Sequence, residues 1–339
     1  MPSIVQLVSM RHWKKKIDRS RWLSVNHLQP KRTGLGWDGY DERFTVTKNI
    51  TRLFGGLPDI VLAYKPADYE GFAELPCFTV MPHNEVKEGR FAPEIKQARP
   101  DLIVFHHMNN WQQQQERLKE LGIESVHIPH VADPAIFHDY GQEKQWDVMT
   151  CGAMGGKIYP LRGLFRQACV LLRERGYRCL DFLHPGNELT DADKCHHLIH
   201  FAQACNQSRI TCFCSSVFRY RLQKYVEVAA CGSAMAADVP VTEDDLEDVL
   251  IECNADESAE TITDRLAGVL DLGEDVEWAR RGKQFARGFE PRQYGQRLLN
   301  AIETVREIQT VRARLRPRRR SRRCPIETVR EIQTVRGRP

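Results

Sequence analysis

Residues 146–176 read WDVMTCGAMGGKIYPLRGLFRQACVLLRERG, and the fold turns on how this stretch is parsed. A short apolar run at 146–151 ends in Gly152, Gly155 and Gly156. An amphipathic pattern then occupies 161–175 and stops at Gly176. A run this short, bounded by glycine, fits a buried strand, and the longer periodic segment fits a helix. The same rhythm continues downstream. Strands are expected at 178–183, 210–215 and 234–237, and helices at 191–204, 221–230 (stopped by Gly232), 258–270 and 276–285. Strands alternating with helices of this length predict βαβ units and a parallel sheet.

Upstream, 100–107 (PDLIVFHH) is the clearest strand, since its continuous apolar run suits a parallel strand covered on both faces. A helix at 111–121, stopped by Gly122, and a strand at 124–128 follow it. Earlier strands are expected at 22–28, 60–64 and 78–81. The polar stretch 139–145, which contains Gly141, breaks the pattern. The fold class is therefore α/β, with two Rossmann-like domains whose parallel sheets face each other across a cleft, at 1–138 and 146–300. Gly34-x-Gly36-x-x-Gly39 matches a dinucleotide fingerprint only by expression, because no acidic residue closes a strand about 20 positions on.

At 339 residues, two domains are the natural count. With 42% hydrophobic and 28% charged residues the composition is globular, and no apolar run is long enough to span a bilayer. The N-terminus lacks the apolar core and small-residue cleavage site of a signal peptide. Eleven cysteines, an odd number, suit a reducing compartment. A cytoplasmic, at most membrane-peripheral, protein is expected.

The formal charge of +4 is unevenly placed. Residues 313–339 hold ten arginines and two glutamates, a net of +8, so the other 312 residues carry −4. The body gives no charge argument for nucleic acid. Residues 302–312 (IETVREIQTVR) recur without change at 326–336. Stacked structural repeats drift and number three or more, so this pair reads as an accidental duplication. Residues 301–339 are expected to be a disordered basic tail, capable at most of weak contact with an anionic membrane.

Two further segments carry a family resemblance. Residues 127–137 read HIPHVADPAIF, and residues 221–234 read RLQKYVEVAACGSA. Their order and spacing resemble the GT-B superfamily of nucleotide-sugar glycosyltransferases, especially the group-1 branch and relatives resembling spore-maturation glycosyltransferases. The first looks like the interdomain segment and the second like the donor-site helix. The resemblance covers about residues 100–290 and implies a hexosyltransferase-like enzyme. The enzyme would use a nucleotide diphosphate sugar as donor, with retention and without a metal or other cofactor. The family often has a second glutamate eight positions before the one matched by Glu227. Here that position is Arg219.

The chemistry fits the assignments that the resemblance implies. Leaving diphosphate charge calls for cations and backbone amides, which the loop with Gly155, Gly156 and Lys157 and the following Arg162 could supply. Glu227, an acceptor-only carboxylate, suits a ribose diol. Lys224 shares its helix face. His184 stands after the next strand, where its backbone would line a base pocket, and Gly232 closes the helix. His106 and His107, at a parallel strand end, are the candidates to orient a hydroxyl in catalysis. Cys195, His196, His197, His200, Cys205, Cys212 and Cys214 lack zinc-knuckle spacing, so no metal is expected. The acceptor, whether glycan, lipid or small molecule, is open. The alternatives are a degenerate GT-B binding or scaffold protein, favoured by Arg219, and an epimerase-like enzyme on the same fold.

Overall fold

The computed structural model describes residues 3–7, 41, 43–83, 91–154, 156–184, 191–241 and 244–315. The strand expected at 22–28, the glycines at 34, 36 and 39, and residues 316–339 lie outside them.

Two five-stranded parallel sheets form the body. The first contains β1 (Ile4–Leu7), β2 (Ile60–Ala63), β3 (Phe78–His83), β4 (Leu102–Phe105) and β5 (Glu124–His127), in that spatial order. Its described helices are α1 (Val46–Phe54), α2 (Phe91–Ala98) and α3 (Met108–Glu120). The register brings Ile4 opposite Ile60, Val80 opposite Leu102 and Phe105 opposite His127.

Each strand is added to the same growing edge. Right-handed crossovers in one direction put the connecting helices on one face. Val5, Leu7, Val61 and Ala63 accordingly pack with Val46 and Ile50 of α1, and Met81, Ile103 and Phe105 pack with Phe91 and Ile95 of α2 and Leu118 of α3.

The other face carries Ile4, Ile60, Leu62, Phe78, Val80, Leu102 and Val104. It is covered by the C-terminal helix α9 (Pro291–Leu315), through Tyr294, Leu298, Ile302 and Val305. This corrects the sequence-based boundary at 300 and the expectation of a disordered tail from 301. The first copy of the repeated segment is helical, and its Ile302 and Val305 are buried in the core of the first domain.

The second sheet has the order β10-β9-β8-β6-β7. Its strands are β6 (Trp146–Gly152), β7 (Cys179–Leu183), β8 (Ser208–Cys212), β9 (Ala234–Ala237) and β10 (Leu250–Glu252). One face packs on α4 (Pro160–Glu174) and α7 (Ala259–Leu272). The other packs on α5 (Asp191–Asn206), α6 (Lys224–Ala230) and α8 (Asp275–Ala286). β6 lies between β7 and β8, so connections leave it in opposite directions and open a crevice at its carboxyl end, where α/β sheets bind ligands. The chain passes between the domains over residues 128–145 and returns by α9.

Candidate active site

The carboxyl end of β6 gathers the charged side chains. Gly152 has φ 102°, and the Arg162 guanidinium lies where a side chain at 152 would project: a Cβ there would be 2.7 Å from Nη1. Only glycine reconciles that backbone with that contact. Arg162 stands in the first turn of α4, after Pro160. Its Nη1 donates to the Ala153 carbonyl at 2.8 Å, and its guanidinium sits 3.6 Å over the Tyr159 ring. The side chain is 4% exposed, and its Nε hydrogen has no acceptor among the described residues. A buried cation at a helix N-terminus is electrostatically uphill until an anion joins it.

Glu227, in the first turn of α6, is buried. Lys224 opens that helix with Nζ 4.2 Å over the Phe201 ring. The Cys151 thiol is raised to about 11 by burial, while Lys224 and Arg162 pull it down and Glu227 pushes it up. The charges of Lys224, Arg162 and Glu227 are thus felt at Cys151 of β6, and those of Lys224 and Glu227 also at Cys205 of α5. A groove of about 490 Å³ opens along the ends of β8 and β9, lined by Pro160, Cys214, Ser216, Arg219, Asp238 and Asn254 among others. That volume is in the range of small-molecule sites.

The remaining expected residues divide. Gly156 and Lys157 lie on an exposed turn, and Lys157 forms no ion pair among the described residues. Gly155 lies outside the described residues. His184 is exposed just after β7, and its field contributes with burial and Lys224 to lowering the His197 pKa.

Gly232 is a correction. It precedes β9 and so lies at the opposite, amino edge of the sheet, where a Cβ would meet Asp139 Oδ2 at 3.3 Å and where its carbonyl accepts from Lys144 Nζ at 2.9 Å. It ends α6 in the left-handed region with φ 73°. Among the described residues no group of three His, Cys, Asp or Glu side chains is arranged to hold a metal.

His106 and His107 occupy the joint between the domains. His106 Nδ1 is 2.9 Å from the Ile128 carbonyl, and its ring stacks on His130 at 4.5 Å. His107 stacks on Tyr220 of the second domain at 4.4 Å and 6°. Burial is the main cause that lowers them, to about 4 and about 3, and both are neutral near pH 7. His107 thus joins the two domains through its stack on Tyr220, and its buried Nδ1 has no hydrogen-bond partner among the described residues.

Sequence reading passed over the partners in that joint. Tyr220 donates to Asn110 Oδ1 at 3.0 Å, Asn109 Nδ2 donates to the Phe218 carbonyl at 3.1 Å, and Gln223 Nε2 donates to the Val131 carbonyl at 3.2 Å. The signal was present in the aromatic spacing of residues 217–221 (VFRYR), directly before the Lys224-x-x-Glu227 pattern. Arg219 has φ 52° and spends Nη2 on the Val239 carbonyl at 2.6 Å, which ties the loops after β8 and β9.

The same architecture occurs in Anabaena HepE, solved with UDP and glucose. The TM-score is 0.60 at 9% identity, covering 89% of this chain and 100% of that one. The fold is GT-B. A glycosyltransferase from Rickettsia africae superposes with a TM-score of 0.54 at 11% identity, covering 90% of this chain and 98% of that one. The N-terminal domain of Candida albicans trehalose-6-phosphate phosphatase gives 0.55 at 12%, covering 87% and 81%. The chain spans 56% of the length of the pneumococcal O-GlcNAc transferase GtfA, at TM-score 0.47. No family model and no curated protein sequence matches the chain.

Proposed function

We propose that the protein is a glycosyltransferase that moves a hexose from a nucleotide diphosphate sugar to an acceptor hydroxyl, with retention and without a metal. The observation that carries this reading is the buried Arg162 guanidinium held against Gly152 at the carboxyl end of β6, the switch point of the second sheet. HepE, which shares the fold, was solved with UDP and glucose.

In this reading the second domain holds the donor and the first the acceptor. Arg162 and Lys224 face the diphosphate and stabilise the charge that grows on it as the bond from the sugar C1 to the phosphate oxygen breaks. That bond's electron pair leaves with the diphosphate. The acceptor oxygen bonds to C1 and its proton passes to the departing phosphate oxygen. Glu227 accepts hydrogen bonds from the ribose hydroxyls. The basic segment beyond residue 315 would add at most weak contact with anionic membranes, and no helix among the described residues is long and apolar enough to cross one.

A second reading, a GT-B protein that binds a nucleotide sugar or scaffolds a partner without turnover, draws on Arg219, which stands where the family often has a carboxylate. Calorimetry against UDP, GDP, ADP and CDP sugars separates the two. One member of the panel is expected to bind, and radiolabelled transfer from it to an acceptor mixture is expected to follow. Binding without transfer would favour the scaffold, and no binding at all would remove the donor reading. Glu227→Gln keeps the side-chain shape but loses one charged acceptor. It is expected to weaken donor binding by about tenfold to a hundredfold, or about 1.5–3 kcal/mol. Undiminished affinity in that variant would take Glu227 out of the site.

A further inference from the structure

The loop between β8 and α6 holds an aromatic ring in an unusual way. Phe218 is 55% exposed, yet its backbone is fixed on several sides. Asn109 Nδ2 from the first domain donates to its carbonyl at 3.1 Å, its own N–H donates to Ser216 Oγ at 3.3 Å, and the neighbouring Val217 N–H donates to the Ile158 carbonyl at 2.9 Å. Ser216 and Arg219, on either side, adopt φ 82° and φ 52°. Left-handed backbone at non-glycine residues costs energy, and it clusters where a loop is held for a purpose.

The ring itself ends a stack. Phe218 lies on Tyr220 at 5.4 Å and 16°, and Tyr220 lies on His107 at 4.4 Å and 6°. Tyr220 is locked by its hydrogen bond to the buried Asn110. The three rings are close to parallel, the inner two are buried, and the third meets no further ring among the described residues. An exposed phenyl face of this kind gains little from water and has little rotamer freedom left to lose on binding. Its place between the amino end of α3 in the first domain and the loops after β6 and β8 in the second sets it in the cleft.

We propose that Phe218 is a stacking platform for the acceptor, so that the acceptor carries its hydroxyl on or beside a ring with an apolar face, either a pyranose or an aryl ring. The inference rests on the glycosyltransferase reading for the word acceptor, but the platform can be tested apart from it. A single ring-sized face, bordered by the polar Asn109, Ser216 and Arg219, matches a ring better than it matches an extended lipid chain.

The test measures binding of methyl β-D-glucopyranoside, p-nitrophenol and p-nitrophenyl β-D-glucopyranoside to the full chain by saturation-transfer NMR and calorimetry, with UDP, GDP, ADP or CDP present. The first two probes separate the pyranose from the aryl source. Phe218→Ala is expected to weaken the ring probes by about fivefold to tenfold, and Phe218→Trp to restore or tighten them. The unfolding temperature and nucleotide affinity of both variants should stay at the unmodified values. Equal affinity of the probes for Phe218→Ala, or no probe binding to the unmodified chain, would overturn the proposal. Loss of nucleotide affinity with the probes unaffected would also overturn it, by placing a nucleobase on the ring. Ring binding that depends on Phe218 with no nucleotide bound would uphold the platform while removing the donor reading.

Discussion

A chain that ends at residue 290 is expected to lose the folded first domain, whereas one that ends at residue 315 is expected to unfold at the temperature of the full chain. The reason is the order of the first sheet. With strands laid down in sequence order, the described crossover helices share one face, and α9 covers the other. Tyr294, Leu298, Ile302 and Val305 are at most 5% exposed there. Burying an apolar side chain stabilises by about 1.5–3 kcal/mol, so four of them contribute roughly 6–12 kcal/mol. That equals the whole stability of an ordinary domain, about 5–15 kcal/mol. The polar contacts of the helix with the sheet edge add little, because Arg306 to the Asp59 carbonyl, Gln309 to Asp101 and Arg312 to Glu124 are all exposed. Thermal unfolding followed by circular dichroism compares the two truncations. Leu298→Ala in the full chain is a milder probe, expected to cost about 2–5 kcal/mol. A 1–290 chain with an undiminished transition would show that α9 only rests on the sheet.

The helix that matters most to the first domain was the element least visible in the sequence. Its buried stripe is narrow, one apolar residue per turn at 294, 298, 302 and 305, in a segment otherwise rich in arginine and glutamate. The recurrence of residues 302–312 at 326–336 also argued for an accident and drew attention away from the pattern inside the first copy. β1 (Ile4–Leu7) was missed for a related reason, since four residues carry no period of their own. It is a strand because β2 offers its edge in register. The second domain was legible almost throughout, because its strands are continuous apolar runs separated by glycine-stopped helices. One exception was β10, three residues long at the sheet edge.

The site was legible in part and for a definable reason. Arg162, Lys224 and Glu227 could be singled out as candidates because they stand in helix turns next to strand ends. Gly232 could not be placed, since one helix turn has two ends and only topology says which end meets the ligand edge. The joint built from His107, Asn110 and Tyr220 joins positions more than a hundred residues apart, and single-sequence spacing holds no record of that pairing.

The same joint makes the protein sensitive to mild acid. His106 and His107 are buried, and desolvation lowers them to about 4 and about 3, from about 6.5 in an unfolded chain. The half-buried His127 is likewise lowered to about 4. The charged groups that act on His107 and His127 are the cations Arg221 and Arg297, which disfavour a further positive charge. As pH falls below 6.5 the unfolded chain takes up protons that the native joint refuses. Stability is therefore greatest above about pH 7 and falls continuously toward pH 4. Each such histidine costs about 1.4 kcal/mol per pH unit within that window, so His106 and His107 together remove about 4 kcal/mol by pH 5. Urea unfolding at pH 7.5, 6 and 5 measures the slope. Replacing His107 with Phe keeps a ring against Tyr220 but cannot take up a proton, and it is expected to lower the proton uptake on unfolding by about one. An unchanged slope in that variant would mean that acid acts elsewhere, and that the stacked imidazoles are not what holds the domains together.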